Sequence, residues 1–171
     1  LGCMSFAGSY GTSEKSDCFE CLDVAKDFGI TFLDTAELYG KGLCEELIGE
    51  YQFSRKHNFY IATKGGTIIG GKRGENDNSE KALRKALEGS LKRLRLDFVE
   101  LYYIHRRDFS IEIEEVAHTL SKFKTEGKIG GFGFSEISPS SLRRAHSVSH
   151  VTAVQNEYSL WTRYPELGLI Q

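Results

Sequence analysis

Four side chains in this 171-residue sequence have the types and the placement to move a proton: Asp34, Tyr39, Lys64 and His105. Asp34 closes the run Ile30-Thr31-Phe32-Leu33, Lys64 closes Phe59-Tyr60-Ile61-Ala62-Thr63, and His105 closes Val99-Glu100-Leu101-Tyr102-Tyr103-Ile104. Tyr39 follows Asp34 within one loop and so reaches the same end of the fold. The set suits carbonyl reduction, which needs a hydride donor and an acid for the developing alkoxide. A free tyrosine titrates near pH ~10, so a neighbouring ammonium is expected to make its phenolate easier to form. Lys64 supplies that charge, Asp34 keeps Lys64 protonated and oriented, and His105 hydrogen-bonds the carbonyl oxygen. The hydride itself belongs to a nicotinamide cofactor. Taken singly, these residues have plainer roles as a loop cap, a strand-end charge and a core histidine. Their shared placement at strand ends argues for a site, because parallel barrels build active sites there.

Bringing those ends together requires parallel strands. Residues 31–35, 59–64, 98–105, 129–135 and 151–155 read as strands, with 1–6 as a partial first strand. The runs are apolar on both faces, as expected for parallel strands covered by helices. Periodic helices fill the intervals. Ser13 is the expected cap of the first and Gly29 its stop, and residues 42–56 form the second with Leu43, Leu47, Ile48 and Tyr51 on one face. Ser79 precedes the stripe Leu83, Ala86, Leu87, Leu91 and Leu94. The fourth helix buries Ile113, Val116, Ala117, Leu120 and Phe123 and stops at Gly127, and the fifth starts at Ser138-Pro139. This alternation predicts one α/β domain over residues 1–171 with a parallel sheet, and by itself leaves closed barrel and open doubly wound sheet undecided.

Composition excludes several classes. A formal charge of −2 gives no basic excess for nucleic acid. No apolar run approaches membrane-spanning length, and no signal-peptide pattern is visible. Four cysteines (Cys3, Cys18, Cys21, Cys44) are too sparse for a secreted disulfide scaffold, so a cytoplasmic, reduced protein is expected. Cys18 and Cys21 form a C-x-x-C, but they fall in a helical stripe with Leu22, Ala25 and Phe28 and read as packing. No second pair of soft ligands sits at zinc spacing, and no metal is expected. Residues 66–72 imitate a phosphate-binding G-x-x-x-x-G-K, but Arg73 stands where a Ser or Thr is required and turn residues follow it. That segment, 65–78, reads as one long loop. The dinucleotide fingerprint G-x-G-x-x-G is missing from every strand-to-helix turn, so a nicotinamide must bind in another way.

Several stretches resemble the aldo-keto reductase superfamily. Residues 29–40, GITFLDTAELYG, are similar to its G-x-x-x-x-D-T-A-x-x-Y-G signature, and Ala62-Thr63-Lys64 to its strand-end lysine. Residues 94–108, LRLDFVELYYIHRRD, resemble its L-x-x-D-Y-x-D-L-Y-x-x-H segment, and residues 131–135 and 155–161 (QNEYSLW) its later strands. The bacterial and plant branch, with H-R-x-D and S-E-x-S, is the nearest group. The resemblance implies a TIM-type (β/α)8 barrel, here incomplete with about six of eight βα units, that binds NADP(H) at its C-terminal mouth and reduces aldehydes or ketones. By motif position it implies Asp34, Tyr39, Lys64 and His105 as the catalytic tetrad, with Tyr39 as general acid. It also implies Ser135 and Gln155 as carboxamide ligands, Glu136 where many members have Asn, and a contact from Asp34 to the cofactor ribose. Phe6, Tyr103 and Trp161 are the candidates for a substrate pocket.

The chain opens at Leu1 without an initiator Met and closes at Gln171, before the seventh and eighth strands of that family. A truncated barrel is therefore expected, without the segment that normally clamps the cofactor phosphates. Its open edges are an expected site of self-association. The alternative reading is a catalytically inactive or regulatory cofactor-binding member, comparable to potassium-channel β subunits.

Overall fold

The computed structural model describes residues 1–72 and 74–171. Arg73, the residue that breaks the phosphate-loop pattern, lies outside the described residues. Among the described residues five strands form: β1 (Phe32–Asp34), β2 (Tyr60–Gly65), β3 (Val99–Ile104), β4 (Ile129–Ser135) and β5 (Ala153–Gln155). They pair in sequence order, every neighbour parallel. Helices α1 (Lys15–Asp27), α2 (Leu43–Arg55), α3 (Glu80–Leu94), α4 (Ile113–Thr125) and α5 (Pro139–Val148) alternate with them. The sheet curls into a partial (β/α)8 barrel, which resolves the choice between barrel and open sheet.

Two layers of side chains follow from the pleat. Thr63, Tyr102 and Phe132 are in register and face the helices, while Lys64, Tyr103 and Gly133 form the alternate row on the inner face. The helix-side core takes Ile61, Tyr102, Ile104, Phe132 and Phe134 from the strands. Against them, α3 buries all five residues of its stripe and α4 all five of its own. Each fully buried Leu, Ile or Phe contributes roughly 1.5–3 kcal/mol of apolar transfer, so these two helices are the main anchors of the half-barrel. The inner face carries only a small apolar cluster of Ala62, Leu101 and Tyr103.

The caps explain where the helices begin. Ser79 accepts from the Ala82 amide at 3.3 Å, and Ser138, ahead of Pro139, accepts from Ser141 at 3.2 Å. At α1 the expectation fails: Glu14 is the cap, and the Asp17 carboxylate accepts from its amide at 3.2 Å. Ser13 instead meets the Cys18 thiol at 3.2 Å. The α1 stripe is narrower than expected, because Cys18, Leu22 and Ala25 are buried while Cys21 and Phe28 face outward. In α2 the inward residues are Cys44, Leu47, Ile48 and Tyr51, an i, i+3, i+4, i+7 set that leaves Leu43 exposed. Residues 1–6 do not make a sixth strand. Gly2 forms one parallel bridge to Asp34, and the chain then folds into a 3-10 turn over Met4–Ala7.

Candidate active site

The strand register sets the site. Asp34 ends β1 opposite Ala62, and Lys64 lies two residues farther along β2, so both point inward at the same end. Past β1 the chain stays tied to β2: the Thr35 amide donates to Ala62 at 2.9 Å and the Glu37 amide to Lys64 at 3.1 Å. Tyr39 then closes a turn on Ala36 at 3.1 Å. Gly42 completes the entry to α2 at φ +98°, where a Cβ would stand 2.6 Å from Arg93 Cδ, so the turn needs glycine on both counts.

Lys64 is almost fully buried, and its Nζ donates to Asp34 Oδ1 at 2.5 Å, to the Thr35 carbonyl at 2.8 Å and to the Tyr39 hydroxyl at 3.4 Å. The His105 ring stands edge-on to Tyr39 with centroids 5.8 Å apart. Asp34, Tyr39, Lys64 and His105 therefore meet in one place. Tyr39, His105, Ser135, Glu136, Gln155 and Arg106 line a cavity of about 500 Å³ above them. Gln155 Nε2 donates to Asp34 Oδ2 at 2.9 Å, linking that wall to the charged pair.

The electrostatics differ from the sequence-based expectation in one respect. Burial, and then the Asp34 charge, push the Tyr39 phenol up to about 12 rather than down. The Lys64 ammonium, 3.4 Å from the hydroxyl, does not reverse that shift. Burial pulls Lys64 itself below the ordinary lysine value, against the attraction of Asp34. His105 is pushed down to about 4, first by burial and then by Lys64 and Arg106. At neutral pH the site thus holds a protonated phenol and a neutral imidazole whose buried Nδ1 has no partner among the described residues.

The remaining expected residues divide. Ser135 Oγ accepts from Arg106 at 2.9 Å and keeps its own proton to donate. Glu136 adopts φ +54° and its carboxylate accepts from the Glu157 amide at 2.7 Å, bridging the β4 and β5 exits. Tyr103 is buried on the inner face beside Lys64, and Phe6 packs into the helix-side core. Trp161 stands 94% exposed outside the cavity, because a turn closed by Ser159 carries it to solvent. Asn78 and Arg106 were missed. Asn78, nearly fully buried, donates to Arg106 and accepts from Asp108 at 2.7 Å, stapling the loop after His105 to the loop after β2. Its position in a polar loop gives no sequence signal of burial.

A family model described as the aldo/keto reductase family matches residues 1–171. Among curated relatives, a probable aldo-keto reductase of Glycine max is 41% identical over 95% of the chain and 48% of its own length. An NADP(+) aldo-keto reductase of Schizosaccharomyces pombe is 39% identical over the whole chain and 52% of its own length. Among solved structures, the glycerol dehydrogenase of Gluconobacter oxydans superposes with a TM-score of 0.87 at 29% identity, over 98% of this chain and 53% of that one. An aldo-keto reductase of Klebsiella pneumoniae in complex with NADP and acetate superposes at 0.81 with 27% identity, over 99% and 57%. The chain spans about half the length of the curated relatives it matches. With the model matched end to end on a fold that these structures share, the chain belongs to the aldo/keto reductase family.

Proposed function

We propose that this chain carries the proton-transfer centre of an NADP(H)-dependent carbonyl reductase that converts small aldehydes or ketones to alcohols. The observation that carries the reading is a neutral tyrosine whose hydroxyl sits 3.4 Å from a buried lysine, itself held by an aspartate, at the mouth of a barrel. NADP is named for the Schizosaccharomyces pombe relative and for a Klebsiella pneumoniae structure. The donor set at the cavity wall fits a nicotinamide carboxamide. Ser135 can donate to its carbonyl, while the Gln155 carbonyl, free because Nε2 serves Asp34, can accept from its amide N–H. Glu136 can only accept, and half of its carboxylate already serves Glu157. When bound, the nicotinamide supplies the hydride.

The side chains supply the rest. His105, neutral at working pH, donates a ring N–H to the substrate oxygen and orients it. Tyr39 gives its proton to that oxygen as negative charge builds there, a transfer worth about 10²–10⁴-fold when the acid is positioned. Lys64 then stabilises the phenolate left behind, and Asp34 keeps the ammonium in place. Substrate specificity belongs to the loops around the mouth. Strand β5 has no strand partner on its outer side among the described residues, and that edge is where the chain is proposed to self-associate.

The test follows NADPH absorbance with an aromatic aldehyde in the presence of a chelator. We expect aldehyde-dependent oxidation that the chelator does not reduce. Oxidation no faster than without protein, or lost on chelation, contradicts the reading.

A further inference from the structure

An ionic network that is fully buried at Glu45 and partly buried at Arg93 and Glu37 lies on the helix side of the sheet, directly behind the site, and nothing in the proton transfer itself uses it. Glu45, in the first turn of α2, is fully buried. Its Oε2 accepts from Arg93 Nε of α3 at 2.7 Å and its Oε1 from the Thr63 hydroxyl at 2.5 Å. Arg93 reaches past Gly42 and Gly89, either of which would crowd it with a Cβ, and its Nη2 touches Glu37 at 3.4 Å and Ser90 at 3.3 Å. Taking these charges out of water is costly, and an apolar side chain of similar volume would often serve stability as well. Such groups are retained in some proteins because they fix one arrangement among several apolar alternatives.

The arrangement fixed here is specific. Thr63 precedes Lys64 in β2, with its side chain on the opposite face. Glu37 lies between Asp34 and Tyr39 in the loop, and its amide already donates to the Lys64 carbonyl. One guanidinium thus grips, through Glu45, the strand that carries the lysine and, through Glu37, the loop that carries the tyrosine. The Tyr39–Lys64 contact it serves is at the outer limit of a hydrogen bond, so a displacement of a few tenths of an ångström would break it. A point charge cannot replace the fork, because a lysine ammonium would satisfy Glu45 and leave Glu37 unheld.

We propose that Arg93 is a positioning residue that holds the Asp34–Gly42 loop so that the Tyr39 hydroxyl stays on Lys64. The kinetic part of this inference rests on the carbonyl-reductase reading; the structural part does not. The test uses the 171-residue chain with ¹³Cζ-labelled tyrosine, Tyr39 being identified by its absence in Tyr39→Phe. Arg93→Lys keeps a cation against Glu45, and Glu37→Gln cuts only the loop contact. In both, the hydroxyl leaves Lys64 for water, and the Tyr39 ¹³Cζ resonance and its titration midpoint should both move away from the parent's, the midpoint by about one unit or more. With aldehyde and NADPH, kcat should fall roughly tenfold while KM changes less than about threefold. Adding Glu37→Gln to Arg93→Lys should then cost little more, since the same link is already cut. Unmoved Tyr39 midpoints in both variants would overturn the proposal. If Arg93→Lys fails to fold, Glu37→Gln decides alone, a shifted midpoint upholding the proposal and an unshifted one overturning it. A parent chain without aldehyde turnover would defeat the carbonyl-reductase reading and leave the titration to decide this one.

Discussion

Replacing Tyr39 with Phe should lower kcat for aldehyde reduction by at least about 100-fold while changing NADPH affinity by less than about twofold. The substitution removes one oxygen and leaves the ring, so the edge-on contact with His105 and the stacking of Lys64 Nζ 5.1 Å from the ring centre persist. Lys64 keeps its two stronger contacts, to Asp34 and to the Thr35 carbonyl. Ser135 and Gln155 are bonded to Arg106 and Asp34, and they keep those partners. Only the proton donor disappears. Steady-state kinetics together with cofactor fluorescence separate the two effects. A variant retaining more than about a tenth of the rate would assign the acid to another group, His105 being the nearest.

His105 makes stability depend on pH. Its folded-state value of about 4 lies below the ordinary histidine value, with burial as the first cause and the charges of Lys64 and Arg106 next. A depressed folded value means that the unfolded chain binds the proton more readily. The stability that this residue contributes is therefore fully present above pH ~6.5 and is lost progressively as pH falls toward about 4. Integrated over that window, the loss is roughly 3 kcal/mol. Urea unfolding of the parent and of His105→Gln at pH 7 and pH 4.5 checks this. The parent should lose clearly more stability across the interval than the variant. Parallel pH profiles would show that His105 titrates near its ordinary value and that the site is wetter than described.

Much of this was legible because chain direction and pleat do simple geometric work. A residue that closes an apolar run in a βα repeat is delivered to the C-terminal end of a strand, so the sequence alone places Asp34, Lys64 and His105 at one end of the sheet. The stripes of α3 and α4 were equally readable, since each follows a clear cap and a regular helical period. The failures have physical causes. Of the partial strand expected over residues 1–6, only residues 1–3 run beside β1, through three hydrogen bonds to Phe32 and Asp34, before the chain turns away to bury Phe6. Trp161 was placed at the pocket by motif, yet the turn at Ser159 sends it outward. The direction of the Tyr39 shift was not legible because sequence shows that an ammonium is near but not how far the phenol is buried or that the Asp34 charge adds to the effect. Arg93, Glu45 and Asn78 left no trace: a charged or amide residue in a surface-like context looks the same whether it is solvated or clamped.

The central claim is that this site delivers hydride from a nicotinamide to a carbonyl carbon while its own side chains handle the proton. The most direct measurement is mass spectrometry of the alcohol formed from an aromatic aldehyde and NADPH deuterated at the nicotinamide C4, in ordinary water. With stereospecific transfer, one deuterium should appear on the product carbon with one of the two C4 epimers of the cofactor and none with the other. An alcohol carrying no deuterium with either epimer, or no alcohol at all, would contradict it.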